Sequence, residues 1–165
     1  VALCFEKKDR ITKTVREYAA RNDIDFIIVA PHWGKEYVLK LTENQTTYAK
    51  KWLDAGAGLI LGSHPHVLQS WERYITKDGR ETAILYSMGN FVASMYKGKA
   101  KEVAVFEITL APSKKCKKIR VADIRYFPFQ MKNRQPDSRL ISLERVPAWI
   151  ERIYGPPQGN LRCPK

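Results

Sequence analysis

Cysteine, acid and long apolar runs are all in short supply in this chain, and each shortage narrows what it can be. The three cysteines, Cys4, Cys116 and Cys163, lie far apart with no C-x-x-C pair, which removes the usual signature of a zinc ribbon or a redox dithiol. Isolated thiols are the simple reading, and a disulfide between two of them is the alternative. No apolar stretch approaches the roughly 20 residues that a membrane-spanning helix needs; the longest, such as Phe26 to Pro31, are strand-sized. A charged segment followed by an apolar one is also missing from the start, so any secretion signal has to precede Val1. Val1 to Phe5 itself reads as a strand already under way, and residues upstream of it are therefore expected. Localisation is not readable from the chain. There is no internal repeat, and no low-complexity tract beyond Lys114, Lys115, Lys117 and Lys118.

What is present suits one globular domain, or part of one: 165 residues, 44% apolar and 28% charged, can bury a substantial core. Acid is outnumbered by base, 17 to 29, and the imbalance is uneven. From Phe91 onward sixteen Lys or Arg stand against six Asp or Glu, so +10 of the net +12 belongs to the C-terminal half. Such a field attracts polyanions without choosing among nucleic acid, acidic lipid headgroups and an acidic polymer. Nucleic acid is the weakest of these, because no recognition motif or repeated aromatic platform accompanies the lysines.

Helical spacing of Ile11, Val15, Tyr18 and Ala19 predicts a helix within Asp9 to Asn22. A strand over Asp25 to Ala30 follows, and its unbroken apolar run predicts burial on both faces of a parallel sheet. Thr42 with Gln45 forms a capping-box signal for a second helix that Gly56 and Gly58 end. Leu59 to Leu61 then completes a βαβ unit. Beyond it the chain predicts antiparallel strands: Ser70 to Ile75 and Thr82 to Ser87 about an Asp78-Gly79 turn, then Val103 to Leu110 and Ile119 to Phe127. A short helix within Ser138 to Tyr154 and an irregular tail opened by Pro156, Pro157 and Gly159 close the chain.

All three histidines sit just past the C-terminal ends of the two βαβ strands: His32 in Pro31-His32-Trp33-Gly34, and His64 and His66 in Gly62-Ser63-His64-Pro65-His66. A right-handed crossover sets such strands side by side and brings their C-terminal ends together, where open α/β sheets bind ligands. Pro65 is expected to hold His64 extended, so that both imidazoles of the H-P-H point one way. Imidazoles meeting there suit a borderline divalent metal, and a sheet rim leaves coordination positions open for water or substrate, the basis of metal-assisted hydrolysis. Glu36 is the nearest acid at that rim and is expected to support a ligand or substrate. Asn90 is expected to orient a ligand or substrate oxygen, with Ser87 a further candidate beside it, and Trp33 either walls the pocket or packs on the sheet edge.

Three segments together carry a resemblance: Asp25 to Tyr37 with H-W-G-x-E, Ala55 to Gln69 with G-S-H-P-H, and Tyr86-Ser87-Met88-Gly89-Asn90-Phe91. They resemble the H-W-G-x-E, G-S-H-P-H and S-L-G-N-F motifs of the CapA-type proteins of poly-gamma-glutamate capsule biosynthesis, over about Asp9 to Ser94. The resemblance implies an α/β fold of the calcineurin-like metallophosphatase kind, two β-sheets flanked by helices. Here it would be the C-terminal half, one βαβ unit followed by mostly antiparallel strands. Residues 1–135 would form that half-domain, and 136–165 a short helix and basic tail.

By the same resemblance His32 and His64 would bind one metal and His66 the other, with Mn, Zn or Fe as the ions. The family's early G-D, N-L-E and N-N-H motifs, which bring the acidic ligands, do not occur here. One ion or none is therefore expected in this chain, against two in the intact family site. The implied function is a metal-dependent hydrolytic or transfer step on poly-gamma-glutamate at the bacterial cell surface, with membrane association through upstream residues. Two alternatives stand beside it: a phosphoesterase acting on a small phosphorylated molecule, and a non-catalytic module that binds an acidic polymer.

Overall fold

The computed structural model describes residues 8–91, 98–113, 118–134, 137–142 and 146–155. The Val1 to Phe5 strand, all three cysteines and the proline-containing tail fall outside these residues. Two helices, a four-stranded sheet, a three-stranded sheet and a C-terminal helix make the mixed α/β, two-sheet architecture that the motifs imply.

Helix α1 (Lys8–Ala19) buries Ile11 and Val15, one turn apart on one face. Helix α2 (Glu43–Asp54) starts at a complete capping box: the Thr42 side chain accepts the Gln45 amide, and the Gln45 side chain accepts the Thr42 amide. Between and after the helices run β1 (Ile28–Val29), β2 (Leu59–Leu61), β3 (Trp71–Ile75) and β4 (Glu81–Leu85). They are ordered β1-β2-β4-β3, with β1, β2 and β4 parallel and β3 antiparallel to β4. The turn between β3 and β4 falls at Asp78-Gly79, as its composition predicts; the Gly79 amide closes it on the Thr76 carbonyl at 2.8 Å.

Alternation along the strands sorts the core into two layers. Ile60 and Ile84 face α1 and α2 with Trp52 and Leu53, whereas Leu59, Ala83 and Leu85 face the second sheet with Val121. The second sheet is an antiparallel meander of β5 (Glu102–Pro112), β6 (Ile119–Arg134) and β7 (Asp137–Ser142).

Two expectations need correction. The first βαβ strand is not buried on both faces: β1 is two residues long, lies at the edge of the sheet formed by the described residues, and leaves Ile28 49% exposed. Strand β4, central in the sheet, takes the doubly buried place instead. Strand β6 runs through Pro128 to Arg134 rather than stopping at Phe127. Among the described residues Pro128 pairs with Ala104 of β5, and the pairing of β6 with β7 starts at Phe129. The expected boundary at 135 lies outside the described residues, and described elements beyond it pack on those before it. Strand β7 pairs with β6, and helix α3 (Ala148–Tyr154) packs Ile150 against Leu68, Ala104 and Tyr126.

Candidate metal centre

Parallel pairing continues past the named strands and carries the loops of β1, β2 and β4 to one rim. His32 bridges Ser63, the Trp33 amide donates to the Ser63 carbonyl at 3.0 Å, and the Gly62 amide donates to the Leu85 carbonyl at 2.7 Å. Gly62 is held in a vice. A Cβ there would lie 2.0 Å from the Tyr86 carbonyl oxygen and 2.5 Å from Trp33 Nε1, which itself donates to that carbonyl at 2.8 Å. Backbone cannot retreat as a flexible side chain does. Gly62→Ala is therefore expected to cost about 3 kcal/mol or more of stability, measured by urea unfolding.

The three imidazoles converge at this rim. The ring centroids of His32 and His64 are 4.4 Å apart, and those of His64 and His66 6.0 Å. The route differs from the expected extended H-P-H. His64 and His66 have φ of +97° and +56°, left-handed values, and Tyr37 in the facing loop has +61°. These are all the non-glycine residues with positive φ among those described, and each belongs to this site. Strain of this kind, about 1–3 kcal/mol per residue, persists only where surrounding contacts enforce it, and it concentrates at functional sites.

Glu36 takes a more direct position than the supporting one expected of it. One ligand atom each from Glu36, His64 and His66 lies within 4.8 Å of the others. His66 Nε2 is 3.9 Å from Glu36 Oε1. Two donors on one tetrahedral ion, each about 2.1 Å from it, sit about 3.4 Å apart, so the cluster needs only a modest contraction. Glu36 is an exposed side chain that can supply it. His32 stands outside that triplet, yet its ring adjoins His64. Its pKa is held below the ordinary histidine range, by partial desolvation first and then by the imidazoles of His64 and His66, with Glu36 opposing. At neutral pH His32 is therefore uncharged and carries a free lone pair.

Asn90 fixes the state of His66. Its Nδ2 donates to the Ala100 carbonyl at 3.2 Å, which turns Oδ1 toward His66 Nδ1 at 2.8 Å. An acceptor at Nδ1 requires the proton there, so Nε2 keeps its lone pair, and Nε2 is the nitrogen on the Glu36 side. The donor set thus has the chemistry of a cation site: a carboxylate, an imidazole locked in the ligating tautomer, and two further imidazoles beside it.

Two expected site residues lie elsewhere. Trp33 is 2% exposed and stacks on Trp52 and Tyr86, so of its two expected roles it takes the packing one, in the core beneath the site. Ser87 is fully buried and donates to the Val67 carbonyl at 2.8 Å while accepting from the Gly89 amide, which fixes the β4 loop. Conversely, the sequence reading missed Tyr37, whose ring stacks on His66 at 5.9 Å and whose amide donates to the Pro65 carbonyl at 2.7 Å. Its place one residue after Glu36 was the available signal.

Comparison with known proteins sets these residues in a wider context. Residues 4–95 match the family model described as "Bacterial capsule synthesis protein PGA_cap", a stretch that takes in every candidate site residue. The chain is 39% identical over 90 residues to "Capsule biosynthesis protein CapA" of Bacillus anthracis, an overlap of 54% of this chain and 21% of that protein. It is 42% identical over 73 residues to "PGA biosynthesis protein CapA" of Bacillus subtilis (strain 168), or 44% of this chain and 18% of that one. The matched segment thus spans about a fifth of the length of either relative.

Proposed function

The chain belongs to the bacterial capsule synthesis protein PGA_cap family, and from that premise we propose that it supplies a divalent-metal site for a hydrolytic or transfer step in making poly-gamma-glutamate capsule. The observation that carries the reading is the meeting of Glu36, His64 and His66, with His32 alongside, at the C-terminal rim of the parallel sheet. Glu36, His64 and His66 hold the ion, and Mn, Zn or Fe suits a carboxylate with imidazoles. When bound, it supplies Lewis-acid stabilisation of developing negative charge and activates water near neutral pH.

The residues of the chain divide the remaining work. Asn90 holds the proton of His66 on Nδ1, away from the ligand side. His32, uncharged at neutral pH, offers a lone pair to the ion or to a proton of the substrate. The Ala100 carbonyl that anchors Asn90 lies between the exposed Lys99 and Lys101, placing positive charge along the chain close to the rim. An anionic polymer is the substrate class that such a rim favours, and the relatives' names point the same way.

Asn90→Ala is expected to weaken Zn or Mn binding about 10- to 100-fold while His64 and His66 remain, because the second tautomer of His66 becomes accessible. Isothermal titration of the whole protein reads this directly. Function itself is tested by assaying the whole protein on poly-gamma-glutamate and on phosphorylated small molecules, with and without added Mn or Zn. Metal-dependent turnover of the polymer supports the reading. Turnover of phosphate esters alone would transfer the site to small-molecule phosphoesterase chemistry, and metal-independent polymer binding without turnover would reduce the chain to a binding module.

A further inference from the structure

Two glutamines are completely buried between α2 and the metal-site rim, and they form one directed chain of hydrogen bonds. The Thr42 amide and hydroxyl donate to Gln45 Oε1 at 2.9 and 3.0 Å, Gln45 Nε2 donates to Gln69 Oε1 at 2.7 Å, and Gln69 Nε2 donates to the Val38 carbonyl at 2.8 Å. Burying two primary amides is costly unless their partners are supplied, and ordering two long side chains adds to the cost. Apolar side chains of the same length would fill the same space. What the amides add is a fixed hold on one backbone carbonyl, Val38, in the loop that carries Glu36.

The loop is gripped at three points. Gly34, with φ of +86°, abuts the Gln45 amide so closely that a Cβ would come within 3.0 Å of its Nε2. Val38 at the other end is held by Gln69. Between them the Tyr37 amide donates to the Pro65 carbonyl inside the H-P-H segment. Glu36 lies within this clamp. Gln69 also ties the rim together: it follows His66 by three residues, its amide donates to the Ser87 carbonyl at 3.1 Å, and its carbonyl accepts the Tyr154 hydroxyl of α3.

We propose that Gln69, acting with Gln45, is a positioning residue that sets the Gly34–Val38 loop so that the Glu36 carboxylate faces His66 at ligand distance. The proposal rests on the reading of Glu36 as a metal ligand. Its test therefore pairs a metal-free readout with a metal-bound one.

In the whole protein, Gln69→Met keeps length and removes the amide, and Gln45→Met breaks the same chain from its other end should the first variant not fold. Leu68→Ala is the control, a fully buried neighbour that packs toward α3 and the second sheet instead of the loop. Backbone hydrogen exchange without metal is expected to rise about tenfold at the Tyr37 amide in either glutamine variant, and not in Leu68→Ala. Zn affinity is expected to fall about tenfold in Gln69→Met, and that loss should vanish when Glu36 is already Gln. If Tyr37 exchange in both glutamine variants matches that in Leu68→Ala, positioning by Gln69 is overturned. If exchange rises as expected while Glu36→Gln leaves Zn affinity unchanged, positioning stands and the role of Glu36 as ligand fails.

Discussion

His64→Ala should lower affinity for Zn or Mn by more than about 100-fold, the largest binding effect of any single change in the chain. Removing a group that merely orients a ligand costs about 10- to 100-fold, whereas His64 is proposed as a ligand itself and borders both other imidazoles. Its loss leaves Glu36 with His66 on one side and His32 alone on the other. Affinity is also expected to fall as the pH is lowered, because imidazole ligands must be neutral and protons compete with the ion. His32 keeps its lone pair to lower pH than an ordinary histidine, since its pKa is depressed. Titration of the whole protein with Zn at several pH values checks both statements. Affinity unchanged by His64→Ala would remove this residue from the site.

Trp33→Ala is expected to produce the largest loss of stability, about 4 kcal/mol, a substantial part of what a domain possesses. The indole is sandwiched against Trp52 at 5.7 Å and Tyr86 at 6.2 Å, and its Nε1 proton satisfies the Tyr86 carbonyl over Gly62. Deletion leaves a cavity and an unpaired carbonyl at once. Trp33→Phe, which retains most of the ring area but no donor, should lose about 1–2 kcal/mol. Urea unfolding of the three proteins separates the packing contribution from the hydrogen bond. A loss below about 1 kcal/mol for Trp33→Ala would mean that the indole does not anchor the rim.

Pattern served well where a local rule governs the outcome. The Thr42 and Gln45 capping box, the Asp78-Gly79 turn and the parallel pairing that brings His32 to Ser63 all follow from neighbours in sequence or from strand order. It failed where a residue's fate depends on a distant partner. The run Phe26 to Ala30 has the composition of a doubly buried strand, but β1 lies at the edge of the described sheet with Ile28 half exposed, and composition does not encode sheet position.

The site itself was legible in outline and misread in detail. Proline in H-P-H favours extended backbone at His64 by local sterics, yet contacts across the rim impose a left-handed φ there. Glu36 approaches His66 through a folded loop, and Trp33 is drawn inward by a carbonyl 53 residues away, both matters of tertiary contact. Gln45 read as a capping residue and nothing more, because its second bond, to Gln69, crosses between loops that no periodicity connects.

X-ray absorption on the Zn-loaded whole protein probes the metal centre most directly. The account predicts a first shell at about 2.0–2.1 Å containing carboxylate oxygen and at least two imidazoles, with one imidazole fewer in His66→Ala. A shell free of imidazole scattering, or one that His66→Ala leaves unaltered, would contradict it.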